Sequence, residues 1–142
     1  MNSDSVSYEI IDHTADLGIV VKGIDVQEVF IRAAHAMIDL MVNADIREKG
    51  TRRKLLVEGE DLPDLMVRWL SEILYLFNGE RILVSAIEIS SISPIRLRSA
   101  LTAVSLKKCH YEILREIKAV TYHQIGVKET PDGWEARIIF DI

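Results

Sequence analysis

Apolar residues recur at helical spacing in two stretches of the chain. After Gly23, the residues Val26, Val29, Phe30, Ala33, Met37, Leu40 and Met41 fall on one face of a helix expected to run to about Val42. Asp25 stands where an N-cap is wanted and Glu28 follows three residues later, a capping box with Asp in the Ser/Thr role. The second stretch opens at "DLPDL". Asp61 is the expected cap, and Pro63 lies in the first turn, where its missing N–H loses no partner. Leu65, Met66, Trp69, Leu70, Ile73, Leu74 and Phe77 make the buried stripe, and Asn78-Gly79 is expected to end the helix.

Elsewhere the pattern is that of strands. "YEIID" and "LGIVVKG" flank "HTAD", and "KLLVEG" precedes the second helix. "RILVSAIEISSIS" and "IRLRSALTAVSL" flank Ser93-Pro94 as a long hairpin or meander, while "IKAVTYHQIGVK" and "WEARIIFDI" are joined through the turn residues Pro131-Asp132-Gly133. No low-complexity linker and no short-period repeat divides the chain. The order of strands, helix, strand, helix and a run of strands predicts an α+β domain of two layers, with both helices on one face of a mainly antiparallel sheet. In the last strand Trp134, Ala136, Ile138, Phe140 and Ile142 share one face. Glu135, Arg137, Ile139 and Asp141 share the other, so Asp141 points away from the main apolar row.

Composition narrows the function classes. The 142 residues suffice for one domain, and the hydrophobic and charged fractions of 49% and 27% are those of ordinary globular chains. A net charge of -5 argues against naked nucleic acid as the main partner, and the runs "RRK" (Arg52–Lys54) and "KK" (Lys107, Lys108) read as solvated strand ends. A single cysteine, Cys109, excludes an intrachain disulfide and suits a reducing cytoplasm; as a catalytic thiol it is a poor candidate, since its neighbour His110 points to the opposite strand face. The start "MNSDSVSYE" lacks signal-peptide features, and no apolar stretch approaches a membrane span, so a cytoplasmic protein without membrane attachment is expected.

The chemistry concentrates in acids. "DHTAD" places Asp12, His13 and Asp16 between two apolar strands. Either the carboxylates and Thr14 accept hydrogen bonds from turn N–H groups, or they bind a hard cation through oxygen; taken alone, the segment favours the first. The ending "FDI" alters the balance, because Asp141 and Ile142 offer a side-chain carboxylate, a carbonyl and a main-chain carboxylate close together. If they lie beside "DHTAD", that crowding calls for protons or a divalent ion, and an all-oxygen set favours Ca²⁺ or Mg²⁺ over zinc. His13, His35 and His123 show no chelating spacing, no nucleophile elbow is present, and the seven glycines match no phosphate-binding loop. No self-sufficient enzyme is indicated.

The segments "YEIIDHTADLGI", "EIKAVTYHQI" and "DGWEARIIFDI", with the helix "DLPDLMVRWLSEILYLFNGE" between them, resemble the signature blocks of the archease family. The likeness spans essentially the whole chain. It implies a single domain, 1–142, built on a strand–helix–strand–strand module with an inserted, related module at roughly 50–110. It further implies a non-catalytic activator of the RtcB-type RNA ligase of tRNA splicing and RNA repair, one that speeds guanylylation of the ligase by GTP and permits multiple turnover. A calcium site is implied at Asp16, Asp141 and Ile142, with Asp12 either behind them or structural in the turn; Mg²⁺ or Mn²⁺ would suit the same oxygens. Lys118, Thr121 and His123 are expected to complete polar contacts beside the acidic turn. The competing classes are a chaperone-like interaction module and, less favoured, a metal-dependent phosphoester hydrolase.

Overall fold

The computed structural model describes residues 7–12 and 16–142, without the side chain of Asp12. His13, Thr14 and Ala15 of the acidic segment lie outside the described residues. In chain order the elements are β1 (Tyr8–Asp12), β2 (Asp16–Gly23), α1 (Val26–Met41), β3 (Val42–Asp45), β4 (Thr51–Glu58), α2 (Leu62–Glu80), β5 (Ile82–Ser93) and β6 (Arg96–Ser105). A short 3-10 turn (Leu106–Lys108), β7 (His110–Ile113), β8 (Ala119–Val120), β9 (Gly126–Thr130) and β10 (Gly133–Asp141) follow. The architecture is α+β, two helices against antiparallel strands. Among the described residues the strands form three sheets rather than one: β1–β2–β10 with β8 and β9 on the far edge of β10, the trio β4–β6–β5, and the ribbon β3–β7.

Both helices begin as their acids dictate. Asp25 Oδ1 accepts the Glu28 N–H at 2.8 Å, and Asp61 Oδ1 accepts the Asp64 N–H at 2.9 Å. The reciprocal bond reaches one residue further back than in the usual capping box: Glu28 accepts the N–H of Ile24, and Asp64 accepts that of Glu60. The far end of α2 differs from the expectation. It passes through Asn78-Gly79 to Glu80, and Arg81 takes the left-handed cap at φ 57°. Both turn-forming residues have work inside the helix. Asn78 Nδ2 donates to Ile117 O at 3.0 Å, and Gly79 lies under the Tyr75 ring, where a Cβ would sit 2.7 Å from a ring carbon.

The core is continuous. Leu17, Ile19 and Val21 of β2, Ala136, Ile138 and Phe140 of β10, and Phe30 and Met37 of α1 share one cluster with Val57, Leu97 and Leu101 of the second sheet and Leu65 and Leu70 of α2. Trp69 joins the two helices, its buried indole N–H donating to Phe30 O at 2.9 Å. Ile139 is also fully buried although it lies on the other face of β10. Its partner across the ladder is Gly18, and a Cβ there would come within 2.8 Å of Ile139 Cδ1.

The strand expected over "IKAVTYHQIGVK" is broken in two. Thr121 Oγ1 donates to Ile139 O at 2.9 Å and accepts the His123 N–H at 3.2 Å, which diverts the chain from the ladder. A turn follows, closed by the Ile125 N–H on Tyr122 O, with Gln124 at φ 52°. Strand order repeats as well: β2–β10–β9 accompanies α1, and β4–β6–β5 accompanies α2.

Candidate functional site

Asp16 opens β2 and Asp141 closes β10, and the antiparallel register sets them directly opposite each other. Directly opposed residues project to the same side of a sheet with Cβ atoms about 4.5–5.5 Å apart, and like charges so placed repel. Asp16 is half-buried and Asp141 exposed, and Ile142 is 40% exposed. Among the described residues neither carboxylate has an ion-pair partner. The end of β10 is nevertheless held firmly. The Lys118 N–H donates to Asp141 O at 2.7 Å, and the Thr121 N–H donates to Ile139 O at 3.0 Å.

This donor set consists of hard oxygens with uncompensated charge, which suits Ca²⁺ and, with tighter geometry, Mg²⁺. Among the described residues no group of three or more His, Cys, Asp or Glu side chains could hold a metal. Among the described residues, the oxygens at this end of the sheet are those of the two carboxylates and the main chain of Ile142. Asp12 pairs through its backbone with Leu17 at the same end of the sheet, and its side chain, like His13 and Thr14, lies outside the described residues. Of the three polar residues expected beside the turn, Thr121 makes side-chain bonds; Lys118 and His123 are exposed, and each contributes a backbone N–H.

A second polar cluster was not expected from the sequence. The Tyr122 hydroxyl donates to Asp64 Oδ1 at 2.6 Å, while Asp64 Oδ2 accepts from Glu60 N–H at 2.8 Å and from Arg68 Nε at 2.9 Å. The Tyr122 bond, followed by Glu60 and Arg68, holds the Asp64 carboxyl below the usual carboxylate range, and the same bond raises the Tyr122 phenol. The cluster fastens the turn after β8 to the first turn of α2, and so fixes the strand that pins Asp141. Its one sequence signal is the Asp-to-Arg spacing of four on a helix. The remaining candidate, Cys109, packs against the core and donates its thiol to the carbonyls of Ser105 and Leu106, and burial raises its pKa, which disfavours the thiolate.

Among the described residues no helix is long and apolar enough to cross a membrane. Comparison with known proteins gives a consistent answer. Residues 8–142 match the Archease protein family (MTH1598/TM1083). The chain is 36% identical to protein archease of Methanosarcina barkeri over the full length of both, and 33% identical to that of Pyrococcus abyssi over 95% of this chain and 98% of the relative. The solution structure of Methanobacterium thermoautotrophicum protein 1598 superposes with a TM-score of 0.78 at 31% identity, covering 95% of this chain and 98% of that one. An archease from Thermotoga maritima, described as a possible chaperone, shares the fold at TM-score 0.64 and 18% identity, over 94% and 96% of the two chains. The chain belongs to the archease family.

Proposed function

We propose that this chain is a non-catalytic, calcium-binding activator of an RtcB-type RNA ligase in tRNA splicing and RNA repair. The observation that carries the reading is the register of β2 and β10, which opposes Asp16 and Asp141, and among the described residues no ion pair reaches either carboxylate. Membership of the archease family supports it.

Asp16, Asp141 and the main-chain oxygens of Ile142 would hold the ion, with Asp12 in reserve at the end of β1. An ion held there would supply positive charge to offset triphosphate charge in the ligase. The chain's own residues act on position. Lys118 and Thr121 fix the end of β10 through their backbone N–H groups, and Tyr122 fixes that segment on α2. The end of β10 can then dock beside a nucleotide pocket without spending affinity on ordering it.

Asp16→Ala and Asp141→Ala should each remove stimulation of ligase guanylylation while leaving the circular dichroism spectrum and melting cooperativity intact. Unchanged stimulation by both variants would end the proposal. One observation favours a chaperone-like role as the second reading. Tyr111, Ile113 and Leu114, on and beside the β3–β7 ribbon, are each 45–48% exposed and offer an apolar strip to a client. Suppression of client aggregation that is indifferent to Asp16 and Asp141 would decide for that role.

A further inference from the structure

The net charge of -5 conceals two opposite halves. Residues 50–110 carry nine Lys and Arg against seven Asp and Glu, and the remaining residues carry eight against fifteen. The chain is thus a +2 unit joined to a -7 unit. Within the positive unit the charges are concentrated further. Lys54 of β4 and Arg96 and Arg98 of β6 are exposed and, with Arg52, alternate with the inward residues Val57, Leu97 and Leu101, so they share the outer face of the three-stranded sheet.

Two of these four cations are already matched. Arg52 pairs with Glu88 at 2.8 Å, and Arg96 pairs with Glu58 at 2.6 Å. Between the two pairs stand Lys54 and Arg98, which among the described residues have no acidic partner. Lys54 is opposite Ala100 and Arg98 opposite Leu56, so the two are diagonal neighbours, roughly 7–8 Å apart at the backbone. They border an open groove of about 540 Å³. A pair of cations at that separation along an open, extended groove matches successive phosphates of a single strand. A protein interface is ordinarily anchored by apolar or aromatic side chains seated in pockets. Of the large aliphatic side chains lining the groove, Leu55 and Ile89 are partly buried and Leu56 is half-exposed.

We propose that the outer face of β4–β6–β5 is a contact surface for the phosphate backbone of single-stranded RNA, with Lys54 and Arg98 as its principal contacts. The contact is weak and electrostatic, as two unpaired cations and no stacking aromatics dictate. It lies outside the acidic tip, goes beyond the ligase-activator reading, and its test needs neither ligase nor metal.

The test is fluorescence anisotropy of a labelled oligouridylate titrated with the full chain in chelator at several low salt concentrations. Wild type should bind, with affinity falling steeply as salt rises. Lys54→Glu/Arg98→Glu should weaken binding at least tenfold, and the milder Lys54→Gln/Arg98→Gln should lower the log–log salt slope by about 1.4, near 0.7 for each lost phosphate contact on a single strand. Lys128→Glu, a reversal on β9 of the other sheet, should leave binding unchanged. No binding by wild type, or equal weakening by Lys128→Glu, would overturn the proposal. So would competition by polyglutamate as effective as by unlabelled RNA, which would mark the face as a dock for an acidic protein.

Discussion

His35 shows how one side chain's surroundings reach the stability of the whole. It lies on α1, largely enclosed, and burial lowers its pKa from 6.5, with the nearby Asp39 opposing part of that shift. Between the folded value and 6.5 the unfolded chain binds more protons, so stability rises with pH in that window. Its contribution is complete above 6.5 and is lost as pH falls towards the folded value. Thermal midpoints recorded from pH 8 down to pH 5 should therefore fall more for wild type than for His35→Gln, and parallel curves would contradict the assignment. At this scale the sequence was partly legible. Asp25 and Asp61 announce themselves as caps because short acceptors ahead of an apolar period have little else to do. Tyr122 and Asp64 do not, because their bond spans 58 residues and no local spacing encodes it.

The helices were readable because each couples a strong period with a cap; the strands were readable only where long. β3 and β7 are four residues each and exist by pairing with one another, so no local pattern marks them. β8 and β9 read as one strand in the sequence because the Thr121 hydroxyl's bond to Ile139 O is invisible without the neighbouring strand. The elements also repeat in sequence. "KGIDVQEVFIR" at 22–32 and "EGEDLPDLMVR" at 58–68 place Gly, the Asp cap, the acid at the third helical position and Arg in the same order. With the shared strand order, this supports our proposal that residues 50–110 are an inserted relative of the outer module. The repeated glycine has a physical reason. Each sits where a strand end meets the first turn of the next helix: a Cβ on Gly59 would lie 3.0 Å from backbone atoms of Leu65, and one on Gly23 would lie 3.0 Å from the Val29 side chain and 3.1 Å from its backbone N. Helix backbone at that distance yields little. Gly59→Ala and Gly23→Ala should each cost about 1–3 kcal/mol by urea unfolding, and unchanged stability in both variants would refute this packing argument.

For the whole molecule, one core binds both helices and the strands packed on them, and Trp69 on α2 is bonded to the backbone of α1. On that frame the acidic tip and the basic face belong to different sheets. The tip's residues were singled out by family likeness and by the oxygen-rich ending, whereas periodicity gave only the side of the strand. What the sequence could not supply was the pairing register, a tertiary property, and that register opposes Asp16 and Asp141. The central claim is that these two carboxylates share a divalent ion. Calorimetric titration of the metal-free full chain with Ca²⁺ tests it most directly. One binding event per chain is expected in wild type, with none in Asp16→Asn or Asp141→Asn, each of which should melt no lower than wild type without metal because a cross-strand repulsion has been removed. Absence of binding in wild type, or equal binding in both variants, would contradict the account.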